Sequence, residues 1–473
     1  MNKLPDINQQ FAEWYQEIIY QAELADQSPV RGSYVIRPYG WSIWEHIKGI
    51  LDHKIKETGH DNASFPLLIP LSFLQKEAEH VEGFAPEIAV VTHAGGKELE
   101  EPLVIRPTSE TIIHYMFAQW IKSYRDLPIK INQWANVLRW EMRTRPFLRT
   151  TEFHWQEGHT VHETFEEAKA EAELMLAEYV DLGRNYLAIP VIAGFKSAAE
   201  RFPGADQTMT FEALMQDGKA LQMGTSHLLS QSFAKSFNIQ FQNREGGLSY
   251  PYLTSWGTTT RLVGAVVMVH GDQKGLVLPP KIAPIQVVIV PIFKTAEDKE
   301  KVLNLAYDIK KRLKNIVRIH VDAREELTPG NKYYHWEMKG VPLRLEIGPR
   351  DLANNQVVLA DRLGMGKQIV QLDQLDATIT QLLETIHDEM FKRATARRDA
   401  QWFKEAKLST FGPKLDANNG LYQTGWCQRM ECEQELKQFK ATTRCLLPDQ
   451  KAFETCFNCD NPSICDVLVA KAY

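Results

Sequence analysis

Between Val137 and His159 the chain reads VLRWEMRTRPFLRTTEFHWQEGH, which places Arg139, Arg143, Arg145 and Arg149 within about one strand-loop-strand length, followed by Glu152, Glu157 and two histidines. Guanidinium groups grip phosphate oxygens in bidentate fashion and stay charged at any physiological pH, so this density suits an anionic ligand and phosphoryl or nucleotidyl chemistry. The alternative is a surface strand pair whose arginines are screened by acidic neighbours. A second reactive group lies near the C-terminus, where Cys427 and Cys432 form C-x4-C and Cys456 with Cys459 forms C-x2-C. Two such pairs supply four thiolates for tetrahedral zinc, with no position left open for catalysis. Cys445 and Cys465 remain over, so the spacing alone does not select the ligands.

Taken in order along the chain, these strings resemble the prolyl-tRNA synthetases, a class II family. Arg139-Trp140-Glu141, Arg149-Thr150 and Trp155-Gln156-Glu157-Gly158-His159 are similar to that family's version of motif 2. The resemblance implies that Arg139 contacts the α-phosphate of ATP and the substrate carboxylate, and that Arg149 and Thr150 contact ATP. The chemistry agrees, because attack of a carboxylate on phosphorus brings two anions together and fixed positive charge stabilises that transition state. No nucleophilic side chain is required.

Arg106-Pro107-Thr108-Ser109-Glu110 resembles the loop that receives the amino acid, with Thr108 and Glu110 near its imino group. By itself this string reads as a helix N-cap box. Gln222, Thr225 and His227 in LQMGTSH resemble a stretch that contacts adenosine and the amino acid, and TSWGTTTRLVG resembles motif 3, placing Thr259 and Arg261 at ATP with the arginine on the γ-phosphate. Trp155, His159 and Phe202 match the family's small proline pocket, and Glu157 joins the proline-binding set. Arg139, Arg149 and Arg261 are the implied catalytic residues, acting on magnesium-bound ATP. The archaeal and eukaryotic type of the family carries zinc on the same cysteine arrangement, which favours Cys427, Cys432, Cys456 and Cys459 as structural ligands. About a hundred residues separate Gly158 from Arg261, too few for the family's large editing insertion. The terminal Tyr473 is expected to fold back toward the active site. Implied partners are L-proline, tRNA(Pro) and a second copy of the chain in a homodimer.

Two competing readings make different demands. A synthetase-derived RNA-binding protein without catalysis would not need the phosphate-binding arginines, yet Arg139, Arg149 and Arg261 are all present. A class II enzyme for threonine or glycine would share the ATP chemistry but not the strings RPTSE, FPGAD and GTSH.

The elements that must hold these groups belong to a chain of 473 residues, long enough for two to four domains. Charged residues at 24% and hydrophobic ones at 44% describe an ordinary globular protein. The net charge of -6 disfavours non-specific nucleic-acid binding, so no DNA partner is expected, while a specific RNA remains compatible. No apolar run reaches the length of a membrane span, and the N-terminus lacks a basic head followed by an apolar stretch, so a cytoplasmic enzyme is expected.

From Phe11, the residues Trp14, Tyr15, Ile18, Ile19 and Ala22 fall at helical spacing. Tyr39 to Pro70 contains an amphipathic helix and a proline-punctuated strand, which the family uses as a dimerising motif 1 and which core packing explains equally well. Prolines at 279, 280 and 284 mark a boundary. Beyond it, Gln286 to Val290, a helix through Val302 to Leu313, and Val317 to Val321 read as a βαβ unit; Leu343 to Ile347 adds a strand. A helical stretch from Leu372 to Arg398 ends in a basic run, read as a solvated helix end. The expected architecture is a multidomain α/β and α+β protein. It comprises an antiparallel-sheet class II catalytic domain (1–282), an α/β anticodon-binding domain (283–400) and a small zinc-bearing α+β C-terminal domain (401–473).

Overall fold

The computed structural model describes residues 3–75 and 88–473. The arginine-rich string becomes a hairpin: Ile129–Leu138 and Glu152–His162 pair antiparallel in unbroken register from Ile129 opposite Val161 to Leu138 opposite Glu152. The Arg-rich segment between the two strands is the connecting loop. The sheet continues antiparallel through Tyr252–Thr259, Ala220–Ser230, Gln207–Leu214 and Ile192–Phe195, and Asp61–Asn62 adds a short parallel strand beyond the hairpin.

One face of this sheet is covered by the helix Phe165–Asp181, which starts at a capping box in which Thr164 accepts from the Glu167 amide and Glu167 returns to the Thr164 amide. That helix buries Ala168, Ala172, Met175 and Tyr179. Trp256 lies flat over Gly158, where a Cβ would stand 2.1 Å from the indole. The strand can therefore carry only glycine at that point.

The helix Phe11–Gln21 buries Trp14, Tyr15, Ile18 and Ile19, as its spacing predicts. Pro38–Glu57 begins with a proline in the first turn and buries Ile43, Trp44, Ile47, Leu51 and Ile55 in the same core. After the proline-rich break a second core forms around a mixed sheet. Val287–Pro291 pairs parallel with Ile319–Val321 and with Leu343–Ile347, and the helix Ala296–Leu313 makes the crossover. Gln356–Asp361 and Lys367–Gln371 complete it antiparallel. The helix Leu375–Ala400 then returns to the first core. Of its basic run, Arg393 pairs with Glu389 at 2.8 Å, while Arg397 turns inward to the Val269 carbonyl.

The C-terminal strands do not form a sheet of their own. Trp402–Lys404, Leu421–Trp426, Cys465–Ala470 and Thr442–Leu447 lie in that order, and Leu446 bridges to Phe195, so they extend the catalytic sheet to 11 strands among the described residues.

Candidate active site

A cavity of about 340 Å³ opens where the hairpin, the Ala220–Ser230 and Tyr252–Thr259 strands and the 200–203 loop converge. Thr108, Glu110, Arg139, Arg149, Thr150, Trp155, Glu157, His159, Phe202, Gln222, Thr225, His227, Thr259 and Arg261 all line it. The residues that sequence assigns to ATP and to proline thus share one space, divided into two halves of different electrostatics.

In the first half, Arg139 stands one residue beyond its strand, with Nε donating to the Pro107 carbonyl at 3.0 Å and the guanidinium 5.4 Å from the Phe153 ring. Arg149, on the loop, is more than half exposed and pairs with Glu141 at 2.6 Å. Arg261 opens the helix Arg261–His270 and donates at 3.0 Å to the carbonyls of Leu148 and Gln222, main-chain acceptors rather than carboxylates. Burial pulls its guanidinium down to about 10, and the charges of Arg139 and Arg149 act in the same direction. Glu141 offsets part of this charge, but three guanidiniums in one cavity still suit a polyphosphate. Thr259 accepts from the Arg261 amide at 3.0 Å, and Thr150 donates to the Glu152 carbonyl at 2.7 Å, so both hydroxyls shape the loop and helix start.

The second half is internally paired. Thr108 donates to the Glu110 carboxylate. Ser109 occupies the N-cap position of the helix Glu110–Trp120 but makes no side-chain cap; its hydroxyl goes to Glu157 instead. The helix does start at RPTSE, but no cap box forms there: the Ser109 hydroxyl is used by Glu157, while Thr108 and Glu110 line the cavity. Glu157 also accepts from Gln133 Nε2 at 2.7 Å and faces His159 Nε2 at 3.0 Å. Burial opposes charge on His159, but the bonded Glu157 carboxylate, with Glu110 beyond it, prevails and raises its pKa. Burial pushes His227 the other way, down to about 4, so that imidazole is neutral. Its Nε2 meets Thr225 Oγ1 at 2.9 Å, and the Phe202 ring lies 4.5 Å from its own. Buried carboxylates beside an aromatic wall suit a small cation with an apolar body.

Sequence reasoning did not single out Ser109, Gln133, Thr208 or Trp256. The first two are bonded to Glu157, and Thr208 Oγ1 lies 3.0 Å from His227 Nδ1. Strand alternation offered a signal for Gln133, which shares a face with the inward residues of its hairpin. Tyr473 packs near the same site: its hydroxyl donates to Asp217 at 2.7 Å and its ring lies 5.6 Å from the Arg145 guanidinium of the hairpin loop.

Away from the cavity, the sulfurs of Cys427, Cys432, Cys456 and Cys459 all lie within 4.8 Å of one another, the one such ligand cluster among the described residues. Three of the separations are 3.6–3.7 Å. A tetrahedron with Zn–S bonds of about 2.3 Å requires sulfurs about 3.8 Å apart, so the thiols fit that metal. Asn461 Nδ2 donates to Cys459 Sγ at 3.1 Å, the kind of outer hydrogen bond that orients a thiolate ligand. Cys465 lies outside the cluster, accepting from Gln428 at 3.4 Å, and Cys445 is buried elsewhere in the sheet.

Comparison with known proteins agrees across the chain. Residues 91–270 match the family described as tRNA synthetase class II core domain (G, H, P, S and T), residues 286–382 an anticodon binding domain, and residues 408–473 the prolyl-tRNA synthetase C-terminal family. A proline–tRNA ligase of Acetoanaerobium sticklandii is 52% identical over 473 residues, covering 99% of this chain and 98% of that protein. Another, from Alkaliphilus oremlandii, is 50% identical, covering 98% of this chain and 96% of the relative. Among solved structures, prolyl-tRNA synthetase from Cryptosporidium parvum, complexed with halofuginone and AMPPNP, superposes with a TM-score of 0.94 at 40% identity, covering 99% of each chain. With full-length relatives at this identity, the chain belongs to the prolyl-tRNA synthetase family.

Proposed function

We propose that this protein joins L-proline to tRNA(Pro) in two steps within the cavity. A proline carboxylate oxygen attacks the α-phosphorus of ATP, the bond to the pyrophosphate oxygen breaks, and prolyl-adenylate and pyrophosphate result. A terminal ribose hydroxyl of the tRNA then attacks the prolyl carbonyl, and AMP leaves. The observation that carries this reading is the gathering, in one cavity, of Arg139, Arg149 and Arg261 with the buried, hydrogen-bonded carboxylates of Glu110 and Glu157.

Arg139, at the junction of the two halves, neutralises the α-phosphate and the attacking carboxylate together. Arg149 with Thr150, and Arg261 with Thr259, hold the outer phosphates, while Gln222 and Thr225 border the adenosine. Charge stabilisation and alignment supply the catalysis. Glu110, with Thr108, and Glu157, oriented by His159, receive the cationic imino group. Trp155, Phe202 and His227 enclose the ring. Magnesium enters with ATP and shields its phosphates. A zinc ion on Cys427, Cys432, Cys456 and Cys459 is structural, having four protein ligands and none to spare.

The chain divides in this reading into a catalytic domain (1–282), an anticodon-binding domain (283–400) and a zinc-bearing C-terminal domain (401–473), working as a homodimer in the cytoplasm. In keeping with that location, no helix among the described residues is long and apolar enough to cross a membrane. An apolar pocket discriminates weakly, since one methylene is worth about 1–3 kcal/mol. Alanine and cysteine should therefore be activated slowly, and without an editing insertion alanine mischarged on tRNA(Pro) should persist. The test is ATP–pyrophosphate exchange across the twenty amino acids: proline should dominate and Arg139→Ala should abolish the signal. Dominance of another amino acid overturns the assignment.

A further inference from the structure

Thr208 is the second residue of the strand Gln207–Leu214, is 2% exposed, and sits directly opposite His227 in the sheet. Its hydroxyl accepts from the Phe202 amide at 3.0 Å and meets His227 Nδ1 at 3.0 Å. An amide N–H can only donate, and a hydroxyl has a single proton to give. A hydroxyl also has two lone pairs, so with the amide on one of them it can either give its proton to Nδ1 or accept from Nδ1–H, and the bond to His227 holds in either imidazole tautomer. Nε2 in turn meets Thr225 Oγ1 at 2.9 Å. One hydroxyl thus ties the Phe202 main chain and the His227 ring together.

The main chain of Thr208 is held from the other side. Its carbonyl accepts from the Lys196 amide at 2.8 Å. The Lys196 ammonium pairs with Glu212, and Glu212 also takes Arg444 Nε at 2.7 Å and Nη2 at 3.0 Å. Lys196, Glu212 and Arg444 are all buried, and Arg444 belongs to the C-terminal strand Thr442–Leu447. Next to them, Ser197 donates to Glu433 at 2.6 Å, and Glu433 also accepts from Thr443. A buried ion cluster is poor evidence of added stability, but removing one partner leaves a charge uncompensated, so it constrains geometry strongly.

We infer that Thr208 is a positioning residue for the proline pocket, and that the C-terminal region, through Arg444 and Glu433, holds the strand end from which Thr208 acts. This rests on the assignment of Phe202 and His227 to proline. Positioning of this kind acts mainly on one substrate: the hydrogen bonds of Thr208 go to Phe202, His227 and Lys196, and none goes to the arginines assigned to the phosphates.

The test uses the full-length protein in pyrophosphate exchange, with proline and ATP varied separately. Thr208→Val keeps the volume and removes both hydrogen bonds; it should raise the proline KM about tenfold or more, by leaving a buried amide unsatisfied. The ATP KM should stay within about twofold, and Thr208→Ser should restore the parental proline KM. Glu433→Gln and Arg444→Met should move the proline KM in the same direction by a smaller factor, about threefold. Phe202→Ala serves as the control. If it raises the proline KM while Thr208→Val does not, the inference is overturned and the pocket assignment stands. If neither changes it, the pocket assignment itself falls and takes the inference with it. Should Thr208→Val fail to fold, Glu433→Gln decides on the same readout, and an unchanged proline KM counts against the inference.

Discussion

The two halves of the cavity solve opposite electrostatic problems. Around Arg261 the protein gathers three guanidiniums, of which Arg149 has Glu141 as its partner, and burial and the two neighbouring guanidiniums work against the Arg261 charge. Around Glu157 the polar groups are held by the protein's own hydrogen bonds: the carboxylate has Ser109, Gln133 and His159 as partners, and His227 is neutral. The first half awaits a ligand whose charge completes it, and the second offers a finished shape that a ligand must match. An enzyme that uses ATP for every turnover but must select one amino acid needs both kinds of site.

That contrast can be tested at several strengths. Removing charge from the first half should be most severe: Arg139→Ala should cut pyrophosphate exchange by about 10³ or more, given that a single transition-state donor is worth about 10²–10³ and Arg139 faces two anions. Loss of less than about tenfold would break the comparison at its base. Truncating the second half should act on one substrate only, so Phe202→Ala should raise the proline KM by about 10–100-fold through lost apolar contact, leaving the ATP KM unchanged. Salt separates the halves more gently. Arg149 is exposed, so raising ionic strength from about 0.05 to 0.3 M should raise the ATP KM a few-fold while the proline KM stays level. If the proline KM rises in parallel, the second half is not self-neutralised.

The smallest effect is a pH dependence of stability. His159 keeps its proton to a higher pH when folded than the ordinary value of about 6.5. Its pairing with Glu157 is therefore fully stabilising below about pH 6.5 and fades as pH rises through the raised folded value. Thermal unfolding of the parent and of His159→Gln should differ most at the acidic end and converge as the solution becomes alkaline. A gap that widens with pH contradicts the pairing.

Part of the first half was legible in sequence, because Arg139 and Arg149 come from one hairpin, although Arg143 and Arg145 of the same cluster do not line the cavity. The cysteine pairs were legible for the same reason, and the four sulfurs converge as C-x4-C and C-x2-C suggested. The second half was less so. Glu157 draws its partners from Ser109 and Gln133, and His227 draws one from Thr208; only strand pairing brings them together. The periodicity of the Phe11 helix and of the βαβ unit revealed the elements themselves. It carried no information on the bridge from Leu446 to Phe195, since the side of a sheet on which a distant strand docks leaves no mark on either strand's own pattern.

That bridge gives the tail a duty unrelated to metal or substrate. Ile192–Phe195 would be the outermost strand of the catalytic sheet without Thr442–Leu447 beside it. A chain ending before residue 408 would display that strand's unpaired amides and carbonyls to every other copy in solution, an invitation to edge-to-edge pairing. The C-terminal strands are in this sense the selvedge of the fabric, and their loss should appear first as insolubility and only afterwards as a change in kinetics.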